Sequence, residues 1–347
     1  MSIPSKIILY SVPDIKKVSG GPRTRITKIS EAIKKESEGY SIIGNSLTKL
    51  KKTLKAPKSA ICYVESATNR LKLIDLFCLI ILKIKTKYLI VYIRDVYTII
   101  FPQEYRSIRR SITRFFNHIT NKIYIQLADK IAFPTIEMSK VFNSHFGINK
   151  NSIDLPPGTF FIDEKKTTFP DIASIKPKFL YLGGTNYKYS GINSFLKYAV
   201  SHINTFDFNI LSQDNLEPLL NKKGLAKSIP LNSVSHDEVF DYINKNNISF
   251  LLHPRPLNEY DNITYPIKIM DCISFGLPII SFRHAPLVSM LGNEYPFFIE
   301  SYEEIKKIIE DKDTFKQKYA LSLDILNEVA RKNTYQKQVQ KIIKYSK

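Results

Sequence analysis

Cysteine is scarce in this 347-residue chain: Cys62, Cys78 and Cys272 are its three cysteines, each in an apolar stretch. None stands at a metal-ligand spacing, which excludes a zinc ribbon and a disulfide framework and points to a reducing compartment. Long apolar runs are missing too. The longest, Leu71 to Ile84, carries Lys72 and Asp75 and falls short of the roughly 20 residues that span a bilayer. A buried helix is expected there. No low-complexity tract or fixed-period repeat is found, which excludes disordered and solenoid classes. The first residues lack the charged, apolar and small-residue regions of a secretion signal and run directly into a strand.

Negative charge is the remaining shortage. The chain holds 32 Asp and Glu against 51 Lys and Arg, a net charge of +19. The imbalance is local. Residues 1–150 hold 27 basic and 10 acidic residues, whereas residues 151–347 hold 24 and 22. A basic half joined to a neutral half implies that one half meets something anionic: a membrane surface, a phosphorylated lipid or a nucleic acid. The basic runs lack the aromatic–Gly pattern of an RNA-recognition sheet and any zinc or recognition-helix signature, so a nucleic-acid partner is not expected.

What is present is an alternation of strands and helices. Lys6–Val12, Tyr40–Gly44, Ala60–Val64, Tyr88–Ile93, Lys130–Phe133 and Ile153–Leu155 read as strands, with helices between them. The pattern restarts with Lys178–Leu182, Phe206–Leu211, a weaker Lys227–Leu231, Ile248–His253 and Leu277–Ser281. Strands alternating with helices predict parallel sheets in an α/β fold. The segment Asp163–Pro177 is charged, carries two prolines and lacks any period, as a linker does. The expected organisation is residues 1–165, residues 166–332, and a basic C-terminal helix over 333–347 that packs back on the first domain.

One stretch organises the second half. Asn262 to Ser281 reads as a polar loop, a helix, a glycine turn at Gly276 and a buried strand. With the strand Ile248–His253 before it, this is a βαβ unit, and its helix N-terminus near Pro266 is placed to hold an anion. Pro266 suits the first turn of that helix, where its missing N–H costs nothing. Gly276 suits a left-handed stop. Ser235 and Glu238 are spaced as a capping box.

Two motifs carry a resemblance. Phe179 to Ile192 resembles the strand–Gly–Lys–Gly–helix motif that opens the donor domain of GT-B glycosyltransferases. Tyr265 to Ile280 resembles the "P-x-K-x-x-E-x-x-x-x-G-x-P" signature of the retaining family-four (group 1) members, which build bacterial surface polysaccharides. Gly20-Gly21 after the first strand, and Pro156-Pro157-Gly158, also match the family's layout. The resemblance covers nearly the whole chain. It implies two facing Rossmann-like domains with a cleft between them and retention of anomeric configuration without a metal or other cofactor. A donor phosphate oxygen would take the acceptor proton. It also implies a nucleotide-sugar donor and a glycan or polyprenyl-diphosphate-linked acceptor. The chain departs from the family at two places. Asp271 stands at the later of two glutamate positions, and Ile263 at the earlier one, which leaves an inactive partner subunit as an alternative. A sugar-nucleotide epimerase on the same fold is a second alternative; it would need an acid–base pair, and none is evident.

The site residues follow from both lines of reasoning. Lys188 and Arg255 are expected to stabilise the charge that grows on the leaving diphosphate. Gly183 and Gly184 let the backbone approach the donor closely. Tyr265, Pro266 and Lys268 line the helix N-terminus, and Asp271, one turn in, accepts from ribose hydroxyls. Arg94 and Asp95, at a strand end, together with Gly20 and Gly21, are expected on the acceptor side, with Asp95 among the catalytic groups. Asp311 and Asp313 fit the letter of a metal-binding D-x-D but lie in a charged run at a helix end, so no metal is expected. Arg106, Arg109, Arg110 and Arg114 interleave with Ile108, Ile112, Phe115 and Phe116 as a basic amphipathic helix. Lys49, Lys51, Lys52, Lys55 and Lys58 add a second basic run. Together they predict a peripheral enzyme on the cytoplasmic face of an anionic membrane.

Overall fold

A computed structural model of the chain describes residues 6–18, 20–66, 71–150, 152–160 and 176–345. The expected linker, Asp163–Pro177, lies almost wholly outside the described residues. The chain divides into two compact units. One comprises Met1–Gly158, Ile263–Tyr265 and Asn333–Lys347; the other comprises Thr159–Asn262 and Pro266–Lys332.

In the first unit the order is β1 (Lys6–Ser11), α1 (Gly20–Glu36), β2 (Glu38–Ile42), α2 (Ser46–Lys55), β3 (Ser59–Glu65), α3 (Leu73–Lys85) and β4 (Thr86–Tyr92). It continues with α4 (Tyr97–Ile100), α5 (Ile108–Leu127), β5 (Lys130–Phe133), α6 (Ile136–Phe146) and β6 (Ser152–Asp154). The six strands form one parallel sheet in the order β2-β1-β3-β4-β5-β6. Runs such as Ile7–Ser11 are buried residue after residue, as a strand covered on both faces must be. Chain direction away from the first strand reverses between β1 and β3. In open α/β sheets the loops diverge at such a switch point and leave a crevice at the carboxyl ends.

Gly20 and Gly21 open α1, with Gly20 at φ +59°. A buried ion pair ties α1 down. Arg25 Nε donates to Glu65 Oε1 at 3.0 Å, Nη2 donates to Tyr63 Oη at 3.0 Å, and the guanidinium lies 3.8 Å over the Tyr92 ring. The C-terminal helix, α14 (Tyr335–Lys344), packs against α1 in this same unit. Gly158 makes that possible, since a Cβ there would come within 2.5 Å of the Tyr335 ring.

Three expectations for this unit are corrected. Leu71–Ile84 is not a buried helix. In α3 only Asp75, Cys78, Leu79 and Leu82 are buried, while Leu73 and Ile84 are 84% and 80% exposed. Lys49 does not belong to a basic surface run; it is buried and ion-paired with Asp75, which also accepts from Tyr10 Oη at 2.6 Å. Charge spacing in sequence does not reveal that α2 turns this one lysine inward. Finally, Ile263 lies with Phe133, Met138 and Phe142 in the apolar core of the first unit, and Thr135 Oγ1 donates to its carbonyl at 2.6 Å.

The second unit contains β7 (Lys178–Leu182), α7 (Ile192–His202), β8 (Asp207–Leu211), α8 (Glu217–Lys222), β9 (Leu231–Asn232), α9 (Val239–Lys245) and β10 (Phe250–His253). Then come α10 (Ile267–Phe275), β11 (Ile279–Phe282), α11 (Ala285–Leu291), β12 (Phe298–Ile299), α12 (Glu303–Glu310) and α13 (Lys312–Lys332). Its strands pair in parallel in the order β12-β11-β10-β7-β8-β9. Counted from β7, this is the 3-2-1-4-5-6 order of dinucleotide-binding sheets, with the switch point between β7 and β10. Phe179, Phe208 and Phe250 stack across neighbouring strands with ring centroids 5.6 and 5.9 Å apart. The weaker strand expected at Lys227–Leu231 shrinks to Leu231–Asn232, because Pro230 cannot donate to a ladder.

Candidate active site

The switch point of the second sheet gathers four segments: the loop after β7, the loop after β10, the start of α10 and the end of β11. Glycine sets the first. Gly183 sits at φ +113°, and a Cβ there would touch the Lys268 side chain at 3.6 Å. Gly191 sits at φ +77° and N-caps α7. A Cβ at Gly191 would meet the Pro254 carbonyl oxygen at 2.8 Å and Arg255 Cγ at 3.0 Å. So the first motif is pressed against the second at Lys268 and against the Pro254-Arg255 loop, and glycine permits both contacts. Tyr181 closes the loop from below: its buried hydroxyl lies 3.0 Å from the Gly184 carbonyl oxygen and 2.9 Å from that of Ser190. Asp214, after β8, accepts from the Thr185 N–H at 2.5 Å and from Asn186 Nδ2 at 2.7 Å. These bonds hold its carboxyl below the usual range.

Arg255 is the centre of the cluster. Held between Pro254 and Pro256, it is 3% exposed. Its Nη1 donates to Asp261 Oδ1 at 2.6 Å, its Nη2 donates to Tyr187 Oη, and its Nε has no partner among the described residues. Asp261 is aligned by Asn258, whose Nδ2 donates to Oδ2 at 2.8 Å. His284 Nε2–H donates to the Arg255 carbonyl at 3.0 Å, leaving Nδ1 unpaired. Both ring nitrogens of buried His253 are likewise unpaired. Burial, with Arg255 and Lys268 nearby, holds the His253 imidazole neutral, well below its ordinary pKa. Leaving a buried polar atom unpaired costs about 1–3 kcal/mol. Several such atoms side by side are what a polar ligand satisfies.

Lys268 rises from the first turn of α10, its ammonium 5.0 Å over the Tyr181 ring. Burial first, and then the Arg255 charge, push its pKa down to about 7. Pro266 is not inside the helix as expected; it is the N-cap, with ψ 125°. Gly276 ends the helix at φ +69°, in the left-handed conformation expected of it. Asp271, one turn after Lys268, is 7% exposed, and its Oδ2 lies 3.1 Å from His236 Nε2.

The other expected residues fall elsewhere. Lys188 is exposed, its ammonium 5.1 Å over Tyr189; its neighbour Tyr187 is the residue that touches Arg255. Tyr265 belongs to the first unit, where burial and the Asp154 and Glu137 charges raise its phenol pKa. Arg94 and Asp95 follow β4 in the first unit, half-buried, with Arg94 beside Tyr92 and Asp95 beside Tyr105. Asp311 caps the start of α13 through the Thr314 N–H at 3.3 Å and pairs with Lys318 at 3.3 Å, which is helix-end work. Sequence reasoning passed over Gly191, Asp261, His236 and His284. Gly191 and Asp261 lie within or beside the quoted motifs and were within reach. His236 and His284 are lone residues that only the fold brings to the site.

His253, Asp261 and His284 each bring one potential ligand atom within 4.8 Å of the others. The carboxylate is already bound by Arg255, and Arg255 and Lys268 are the nearest charges. A divalent cation would meet both at short range. The same surroundings favour an anion.

No family model matches the chain, and no curated protein matches it. Solved structures do. The chain is similar to Anabaena Alr3699/HepE in complex with UDP and glucose, at 11% identity and a TM-score of 0.64, covering 98% of this chain and all of that one. It is also similar to the pneumococcal O-GlcNAc transferase GtfA in complex with UDP and GlcNAc, at 13% identity and a TM-score of 0.55, covering 88% and 60%. TarM of S. aureus matches at 9% identity and a TM-score of 0.55, covering 88% and 59%. The fold is that of the GT-B glycosyltransferases.

Proposed function

We propose that the chain transfers a sugar from a nucleotide-sugar donor to a glycan or polyprenyl-diphosphate-linked acceptor, with retention of configuration, in surface polysaccharide assembly. The observation that carries this reading is the clustered Arg255 and Lys268, with unpaired donors beside them, at the switch point of a 3-2-1-4-5-6 sheet. A donor diphosphate at that point would meet the Arg255 guanidinium and the Lys268 ammonium. The N–H groups at the start of α10 would add to both. As the glycosidic bond breaks, charge grows on the leaving phosphate, and a preorganised donor there lowers the barrier by about 2.7–4 kcal/mol. Asp271, which pairs with His236, would accept from ribose hydroxyls. The acceptor hydroxyl's proton passes to the departing phosphate oxygen, and no metal takes part. The GT-B fold, and neighbours whose complexes hold UDP, UDP-glucose or UDP with a sugar, support the donor class. The acceptor side falls to the first unit, with Gly20, Gly21, Arg94 and Asp95. The basic balance of residues 1–150 supports a peripheral place on the inner face of the cytoplasmic membrane.

A melting screen across nucleotide sugars tests the reading. A bound donor at a hundredfold excess over Kd stabilises by about 2.7 kcal/mol. For a unit of this size that is a rise of about 5–10 °C. The rise should be lost in Arg255→Ala. No rise with any nucleotide sugar would overturn the assignment.

A further inference from the structure

The start of α5 projects from the first unit. Residues 106–116 are exposed one after another, round the whole circumference of the helix, and burial begins only at Asn117. Helices gain most of their stability by packing an apolar face, and this stretch buries none of its residues among those described. Yet it has such a face. At about 100° per residue, Ile108, Ile112, Phe115, Phe116 and Ile119 share an arc of roughly 100°, with Arg110 and Arg114 opposite. Ile108 is 83% and Phe115 60% exposed.

The adjoining helix α3 does the same. Leu73, Phe77, Ile80 and Ile84 form one outward stripe, the first and last more than three-quarters exposed, while the buried residues lie on the opposite side. The two helices are in contact, and Thr120 of α5 accepts from the Leu71 N–H just before α3. The two helices themselves bring no exposed acid to this surface, although Glu104 lies beside Arg110 and Asp129 pairs with Lys83 at 2.5 Å. α5 contains no Asp or Glu, and the one acid of α3, Asp75, is buried against Lys49. Beside the projecting stretch opens a cavity of about 320 Å³, lined by Thr98, Arg114, Asn117, His118, Asn121 and His145. Asn117 is fixed there, its Oδ1 accepting from Thr98 Oγ1 at 2.7 Å and from Asn121 Nδ2 at 3.1 Å. His118 stacks on Phe146 at 5.0 Å.

We propose that the projecting half of α5 and the outward stripe of α3 insert together into the interface of an anionic phospholipid bilayer, and that the cavity lined by Arg114 receives a lipid phosphate. Apolar side chains on two adjoining helices would sink into the acyl boundary while the arginines stay at headgroup level. A second copy of the chain fits less well, because a two-fold pairing of this surface would set arginine against arginine. The inference deepens the membrane-peripheral part of the function above. It is tested without any sugar nucleotide, so failure of sugar transfer and failure of lipid binding are told apart.

The experiment is flotation of the full chain with phosphatidylcholine vesicles, alone or with three parts in ten of phosphatidylglycerol, at roughly 0.1 M salt, where surface charges are screened beyond about 10 Å. Binding to the anionic vesicles should exceed binding to the neutral ones by more than about tenfold. Phe77→Asp and Ile112→Asp should each lower it by about tenfold or more. Both sites are exposed, so the melting temperature of each variant should match the parent. Phe77→Asp lies on the helix without arginines, and so separates insertion from charge attraction. Removing a surface arginine, as in Arg106→Ala, should cost about fivefold. Arg114→Ala should cost more, because it also empties the cavity of its cation. Equal binding to both vesicle types, or no loss in Phe77→Asp, would overturn the proposal. Equal losses in Arg114→Ala and Arg106→Ala would overturn the role of the cavity. If Ile112→Asp instead splits a dimer in a mass measurement, the surface joins copies of the chain and the proposal fails.

Discussion

A lysine whose pKa lies near 7 makes donor affinity a function of pH. Lys268 is driven down to about 7 by burial and by Arg255. An arriving diphosphate supplies the opposite charge, so the bound lysine should return toward its ordinary value of 10.5. Between those two values the free protein holds the lysine neutral and the complex holds it charged. Affinity for a nucleotide sugar should then fall by roughly tenfold per pH unit above 7, each unit being about 1.36 kcal/mol. Binding should take up close to one proton in the same range. UDP-glucose is the suitable probe, since its diphosphate has no terminal phosphate titrating near pH 6. Calorimetry in two buffers of different ionisation enthalpy gives both quantities. Lys268→Met should bind weakly and flatten the profile. The argument fails if affinity is flat from pH 7 to 9 with no proton uptake, or if uptake persists in Lys268→Met. Stability runs the opposite way: the unfolded lysine keeps its proton where the folded one has lost it, so stability should rise between about pH 7 and 10.5.

Three further tests bear on the architecture. Ile263→Glu puts the acid of the related pattern into the apolar core of the first unit, and should destabilise by more than about 3 kcal/mol in urea unfolding; an unchanged midpoint would place Ile263 elsewhere. Gly191→Ala adds about 1–2 kcal/mol for the left-handed backbone and about 1–3 for the contact with Pro254, so melting should fall by roughly 5–15 °C. His236 has its pKa raised chiefly by the bond to Asp271. Its pairing should therefore stabilise fully below pH 6.5 and fade as pH rises through the raised value, by less than about 1 kcal/mol because the ring is partly exposed. The melting difference between the parent and His236→Gln, followed from pH 5 to 9, checks the sign; a difference that grows with pH would contradict it.

Elements governed by local chemistry were legible without coordinates. Alternating apolar runs placed the strands of both sheets, and the left-handed stop at Gly276 and the capping box at Ser235 follow from residue type alone. Burial was less legible. α3 reads as a largely apolar helix, and nothing in its residues says that Leu73, Phe77, Ile80 and Ile84 stay exposed among the described residues. Lys49 reads as one lysine of a run, and only the inward turn of α2 pairs it with Asp75.

The site divides in the same way. By itself the sequence determined that a glycine turn, a stiff arginine between prolines and a helix start belong to one anion-binding unit, because backbone conformation and charge are properties of short stretches. It did not determine who touches whom. Asp271 with His236, Arg255 with Tyr187, and Gly191 beneath Pro254 are contacts between segments separate in the chain. Strand order sets them: once β7 and β10 lie side by side, loops more than sixty residues apart share one crevice. The same order separates what the sequence joins. Ile263 to Tyr265 adjoin Pro266 in the chain yet pack with the first unit, since burying an isoleucine and most of a tyrosine outweighs staying with the neighbouring helix. That is a decision of tertiary packing, and no local rule contains it.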